Sequence, residues 1–168
     1  YPIERIEAYD NSFFGNNYAV SSYVVFNEDG FSIKDSRTYK FKDYDLKKFG
    51  DADLMRKVFE ARFSKDDKAV PDIIIIDGGL PYLKICNDII QKNGIKEDIF
   101  LIGVSKGYKR DFRFDRYHTS KERNISLKEV PQIEGFIQKM RDKAHNLSKK
   151  NSMKRMSDSL KTSFLDGI

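Results

Sequence analysis

Pro71-Asp72-Ile73-Ile74-Ile75-Ile76-Asp77-Gly78-Gly79 is the stretch on which the reading of this chain turns. Four successive isoleucines, apolar at every position rather than alternately, describe a strand covered on both faces, and so a central sheet with helices on each side. Pro71 breaks the chain ahead of the run and the glycines end it. Asp77 therefore puts a carboxylate at the mouth of a buried strand. A second strand-like segment, Ile3-Glu4-Arg5-Ile6-Glu7-Ala8-Tyr9, also runs into an aspartate, Asp10.

Outward from the isoleucines the pattern divides. On the N-terminal side three alternating stretches, Arg5 to Asp10, Ala19 to Phe26 and Ile33 to Phe41, interleave Val, Tyr and Phe with polar residues, and Asn27-Glu28-Asp29-Gly30 has tight-turn composition. These predict an antiparallel meander. From Asp53 the period becomes helical, with Leu54, Val58 and Ala61 or Arg62 on one side, Met55 and Phe59 beside them, and Asp51 or Asp53 as the N-cap. On the C-terminal side Tyr82 to Lys92 reads as a helix stopped by Asn93-Gly94, and Phe100 to Val104 as a fifth strand. Two short alternating pieces, Phe112-Arg113-Phe114 and Asn124-Ile125-Ser126-Leu127, suggest a hairpin excursion with His118 near its tip. A closing helix follows Pro131, with Ile133, Phe136, Ile137, Met140, Ala144 and Leu147 at helical spacing. Three antiparallel strands, a helix, a parallel strand, a helix, a strand and a helix is the order of an RNase H-like α/β domain: a five-stranded mixed central sheet flanked by helices. That order sets the fourth strand beside the first, which brings Asp10 and Asp77 together.

Composition bounds the function. The 168 residues suit one domain. The single cysteine, Cys86, cannot form an internal disulfide, and no stretch resembles a secretory or membrane-spanning segment, so a reducing cytoplasmic setting and no membrane partner are expected. The net charge of +5 is uneven, with Lys139, Arg141, Lys143, Lys149, Lys150, Lys154 and Arg155 crowded near the C-terminus, which suits a polyanion; a solvated helix face is the commoner meaning of such a run. No Gly-rich loop ending in Gly-Lys-Ser or Gly-Lys-Thr occurs, which weakens a nucleotide triphosphatase reading of the strand-end aspartate.

Paired carboxylates offer oxygen ligands and charge compensation to a magnesium or manganese ion while leaving room for water and a phosphate oxygen. Hydrolysis of a phosphodiester also needs a group that orients or deprotonates the water, and histidine suits that task at neutral pH. Of the two histidines, His145 lies on the closing helix one step off its apolar stripe, sharing a face with Gln138 and Arg141 by three- and four-residue spacing. Taken singly, each of these residues has a blander reading: turn former, strand-end aspartate or structural histidine.

Five blocks in order resemble the C-terminal endonuclease half of the UvrC family of excinuclease proteins. Arg5-Ile6-Glu7-Ala8-Tyr9-Asp10-Asn11-Ser12 is similar to R-I-E-x-F-D-I-S, and Ala19-Val20-Ser21-Ser22-Tyr23-Val24-Val25-Phe26 to A-V-A-S-x-V-V-F. The isoleucine stretch resembles P-D-L-I-L-I-D-G-G, Ile102-Gly103-Val104-Ser105-Lys106 resembles I-G-L-A-K, and Met140-Arg141-Asp142-Lys143-Ala144-His145 resembles I-R-D-E-A-H. The resemblance implies a Mg- or Mn-dependent endonuclease making the incision 5′ to a lesion in damaged double-stranded DNA during nucleotide excision repair, with UvrB as partner and UvrA upstream. It implies Asp10, Asp77 and His145 as catalytic residues and, after a domain of residues 1–160, 161–168 as the start of a linker toward a helix-hairpin-helix module. On the chemistry of the residues, Asp10 and Asp77 are expected as metal ligands and Arg141 with Lys106 as phosphate contacts. A further family aspartate matches Asp51, with Asp53 as the alternative. The chain departs from the family at Phe13, where a histidine is usual, at Leu80-Pro81-Tyr82, where Lys-Gly-Gln is usual, and at Ser152 or a neighbour, in place of a second histidine. Two rivals stand beside this reading. One is a non-catalytic RNase H-like module that binds DNA or a repair partner; the other is an endonuclease V-like or resolvase-like nuclease, against which His145 argues because those relatives tend to use a carboxylate there.

Overall fold

The computed structural model describes residues 2–14, 18–42, 48–64, 69–105, 116–119 and 131–166, with side chains in the last helix described to residue 150. Six strands form one mixed sheet in the order β3-β2-β1-β4-β5-β6. β1 (Arg5–Phe14), β2 (Tyr18–Asn27) and β3 (Gly30–Lys42) make the antiparallel meander, and β4 (Ile73–Asp77) and β5 (Phe100–Ser105) run parallel to β1. The five strands of the sequence reading are all present. A sixth, β6 (Arg116–Thr119), pairs antiparallel with β5. His118 is thus not at a hairpin tip. It lies buried in β6, with Nε2 2.8 Å from Ser105 Oγ. Four residues carry too little alternation to announce a strand, and edge pairing to β5 supplies what local pattern does not. Phe112–Phe114 and 124–127, where the excursion was expected, lie outside the described residues.

Side-chain parity divides the core. Tyr9, Tyr23, Val25, Ile74, Ile76 and Leu101 point to one face, under α1 (Asp51–Phe63) and α2 (Leu80–Lys92). Ile6, Ala8, Val24, Ile75 and Val104 point to the other, under α3 (Pro131–Asp166), which lays Ile137, Met140 and Ala144 on them. Phe136 and Leu147 flank this contact, while Ile133 remains exposed in the first turn. Deep in α3, Ser148 Oγ donates to the Val20 carbonyl at 3.3 Å, tying the helix to β2. The N-cap of α1 is Gly50 rather than either aspartate; Asp53 instead accepts the Gly50 N–H at 3.1 Å, one turn in.

A buried ion pair joins β1 to α1. Glu7, with no solvent exposure, accepts from Arg62 Nη2 at 2.7 Å, from Arg5 Nε at 3.1 Å and from the Tyr9 hydroxyl at 2.7 Å. Arg62 Nη2 also donates to the Ala69 carbonyl at 2.6 Å. Burial of the Tyr9 phenol, and then the charge of Glu7, push its pKa well above the usual tyrosine range. The strand that carries Asp10 is therefore fixed on its other face by a buried, hydrogen-bonded charge cluster.

Candidate active site at the carboxyl ends of β1 and β4

Register and parity together place the two carboxylates. Tyr9 of β1 lies opposite Ile76 of β4 in the last pair between the two strands, so Asp10 and Asp77 follow one residue beyond it, side by side where the strands part. Ala8 and Ile75 face α3, and two residues further on, so do Asp10 and Asp77. Asp10 is not the end of its strand: β1 continues to Phe14 against β2, but its pairing with β4 stops at Tyr9. The parting of the two strands opens a cleft of about 230 Å³ lined by Tyr9, Asp10, Asp77, Gln138, Arg141, Asp142 and His145.

α3 supplies the basic wall. Gln138, Arg141 and His145 follow one another at helical spacing along the side of the apolar stripe, so packing of Met140 and Ala144 on the sheet turns them toward the strand ends. Each carboxylate then meets its own basic partner. His145 Nδ1 is 3.4 Å from Asp10 Oδ2, with the Asp10 side chain 9% exposed and the imidazole 61% exposed. Arg141 Nη2 donates to Asp77 Oδ1 at 2.8 Å. Among the described residues no three His, Cys, Asp or Glu side chains converge on one point. The donor set nevertheless fits a hard divalent cation: two carboxylates on one face of the sheet, Asp10 buried and Asp77 partly exposed, lining one cleft.

A directional chain of hydrogen bonds holds that positive group. Arg141 Nη1 donates to Gln138 Oε1 at 3.0 Å, Gln138 Nε2 to the Tyr117 hydroxyl at 3.0 Å, and Tyr117 to Glu134 Oε1 at 3.1 Å. Because a guanidinium only donates, it fixes which way the Gln138 amide points, and the amide in turn sends the Tyr117 proton to Glu134. Tyr117 and Glu134 were not singled out from sequence. Glu134 stands one helical turn before Gln138, a spacing that could have drawn attention to it; Tyr117 carries no comparable signal.

At the other lip, β4 leaves the sheet beneath α2. The Gly78 N–H bonds the Val104 carbonyl at 2.8 Å, and the Tyr82 ring lies where a Gly78 side chain would be. A Cβ on Gly103 would come within 2.6 Å of the Gly78 carbonyl, so both glycines permit the close crossing that positions Asp77. Burial, and after it the charges of Asp51 and Asp77, raise the Tyr82 phenol above its ordinary value. Asp51 is the first residue of α1, exposed, and does not line the cleft; its influence reaches this region through Tyr82. Lys106 lies outside the described residues.

Known proteins resemble this chain in sequence. A model of the UvrC RNAse H endonuclease domain matches residues 1–148. The UvrABC system protein C of Ruegeria pomeroyi is 32% identical over 155 residues, covering 88% of this chain and 25% of its own length. That of Rhodospirillum rubrum is 31% identical over 175 residues, covering 99% of this chain and 27% of its own. The chain thus spans about a quarter of the length of these relatives. Among solved structures, human endonuclease V aligns over 62% of this chain and 46% of its own at 15% identity and a TM-score of 0.42, a distant likeness.

Proposed function

The chain belongs to the UvrC RNase H endonuclease domain family, and from that premise we propose that it nicks one strand of DNA 5′ to a lesion, as the contribution of UvrC to nucleotide excision repair. The observation that carries the reading is the adjacency of Asp10 and Asp77 on the α3 face of the sheet, with His145 and Arg141 set over them. Asp10 and Asp77 would hold magnesium or manganese. Bound there, such an ion supplies Lewis-acid polarisation of a phosphate oxygen and a lowered pKa for coordinated water.

The chain's own side chains do the rest. With Asp10 Oδ2 3.4 Å from Nδ1, His145 takes a proton from, or orients, the attacking water through the ring nitrogen away from Asp10, Nε2. Its exposure leaves that nitrogen open to solvent and substrate. Arg141 contacts a phosphate, for which a guanidinium offers matched donors, and Lys106 adds a second contact. Asp51 adds negative charge at the Tyr82 lip. Damaged duplex DNA presented by UvrB, in the cytoplasm, is the proposed setting; among the described residues no helix is long and apolar enough to cross a membrane.

The experiment is Mn²⁺-dependent cleavage of a bubble or nicked duplex by the wild type, Asp10→Asn and Asp77→Asn proteins, with EDTA as control. Either substitution should abolish nicking and leave the circular dichroism spectrum and melting nearly unchanged. Activity persisting in the Asn variants rules the assignment out. DNA binding that depends on salt but ignores both substitutions and EDTA, with no cleavage, would favour a binding module instead.

A further inference from the structure

Arg141 occupies an unusual place for a phosphate contact, because it is already committed. Its side chain is only 15% exposed, and its guanidinium bridges Asp77 at 2.8 Å and Gln138 at 3.0 Å. Gln138 is anchored in turn on Tyr117, and Tyr117 on Glu134. A surface arginine held only by Asp77 would sample many rotamers; this one is held at both terminal nitrogens of its guanidinium. The two carboxylates are meanwhile addressed separately, Asp10 by His145 and Asp77 by Arg141.

We propose that Arg141 is a displaceable internal cation: it holds Asp77 until an incoming phosphate takes the guanidinium over, and so couples loading of the divalent ion to docking of the phosphodiester. Tyr117 and Gln138 are positioning residues that set how firmly the latch is closed. The inference rests on the metal-site reading of Asp10 and Asp77. Its physical basis is an exchange of like for like. A guanidinium binds carboxylate and phosphate with the same parallel N–H donors, so passing from one oxyanion to the other sacrifices little. Once Arg141 leaves, Asp10 and Asp77 line one cleft with His145 beside Asp10 and Asp142 on the α3 wall, and the repulsion among the carboxylates favours a cation. Linkage then works in both directions: whatever phosphate docking does for ion affinity, the ion does for phosphate affinity.

The test reads ion binding rather than cleavage. Free Mn²⁺ is titrated by electron paramagnetic resonance against the wild-type chain and the variants Arg141→Met, Gln138→Leu, Lys139→Met and Asp77→Asn, each checked for folding by circular dichroism. Loss of the competing charge-assisted hydrogen bond in Arg141→Met should tighten Mn²⁺ binding about tenfold. Gln138→Leu, which leaves the charge unchanged, should tighten it about threefold through the loosened latch. Lys139→Met removes the same charge on the side of α3 that faces the Phe31 ring, 5.9 Å away, and should change affinity less than about twofold. Asp77→Asn should lose binding. If Arg141→Met binds no tighter than Lys139→Met while Asp77→Asn is lost, the latch is refuted and the metal site stands. If Asp77→Asn binds like the wild type, the metal site itself fails and the latch with it. For the hand-over, Mn²⁺ should tighten binding of a phosphorothioate-linked duplex to the wild type more than to Arg141→Met; equal tightening overturns it.

Discussion

Arg62→Met should be among the most damaging single substitutions in the chain, and the buried cluster at Glu7 gives its size. The Glu7 carboxylate is wholly buried and accepts from three side chains, of which Arg62 makes contacts at 2.7, 3.2 and 3.3 Å. Methionine keeps much of the volume but leaves the carboxylate to Arg5, itself 16% exposed, and the Tyr9 hydroxyl. Breaking a buried pair by removing one partner costs about 3–5 kcal/mol, and the remaining Arg5 contact puts the expected loss at the lower end, about 3 kcal/mol. The Ala69 carbonyl also loses its donor at 2.6 Å. Against a total stability of roughly 5–15 kcal/mol, that is a large fraction. Replacing both partners, Glu7→Leu with Arg62→Met, removes the uncompensated charge and should return the protein to within about 1–2 kcal/mol of wild type. Urea unfolding followed by circular dichroism reads the change as a shift in midpoint at constant slope. A single-variant loss below about 1 kcal/mol, or a double variant as weak as Arg62→Met, would refute the argument that compensation of Glu7 is what the arginine provides.

Gly103→Ala should cost about 1–3 kcal/mol, because its Cβ would meet the Gly78 carbonyl and the Leu83 side chain; it should also lower nicking by shifting the segment that carries Asp77. A variant with wild-type melting and activity would show that the approach of the Gly78 carbonyl to Gly103 has slack enough for a methyl group. His118 carries a pH signature. Burial, and then Arg116, lower its pKa, so between that value and the ordinary histidine range the unfolded chain binds the extra proton. Stability is therefore complete above that window and declines as pH falls through it. His118→Gln should flatten the decline in urea midpoints as pH falls below the ordinary histidine value of about 6.5, and an unchanged slope would remove His118 as its source.

How much of this was visible in the sequence depends on whether the property is local. The isoleucine run, the β1 alternation and the α3 stripe each follow from periodicity, and the strand order then fixes that Asp10 and Asp77 are neighbours. Gln138, Arg141 and His145 could be assigned to one side of α3 for the same reason. Pairings across the fold were not legible. Arg62 read only as one edge of a helical stripe, though it is buried against a carboxylate 55 residues away. Arg141 read as a contact for substrate, and nothing in its neighbourhood announced that Asp77, 64 residues earlier, is its partner. β6 escaped because a short edge strand is defined by the strand it joins, and with it went Tyr117, whose hydroxyl depends on both β6 and α3. Ile133 matched the apolar spacing yet remains 49% exposed, since a stripe records which side is apolar and not how far the sheet extends beneath it.

The most direct test of the carboxylate pair is paramagnetic broadening of backbone amide resonances by substoichiometric Mn²⁺. The account predicts that Asp10, Asn11, Asp77, Gly78 and His145 broaden first in the wild type, and that this selectivity disappears in Asp77→Asn. Selective broadening elsewhere on the molecule, or the same pattern surviving in Asp77→Asn, would contradict it.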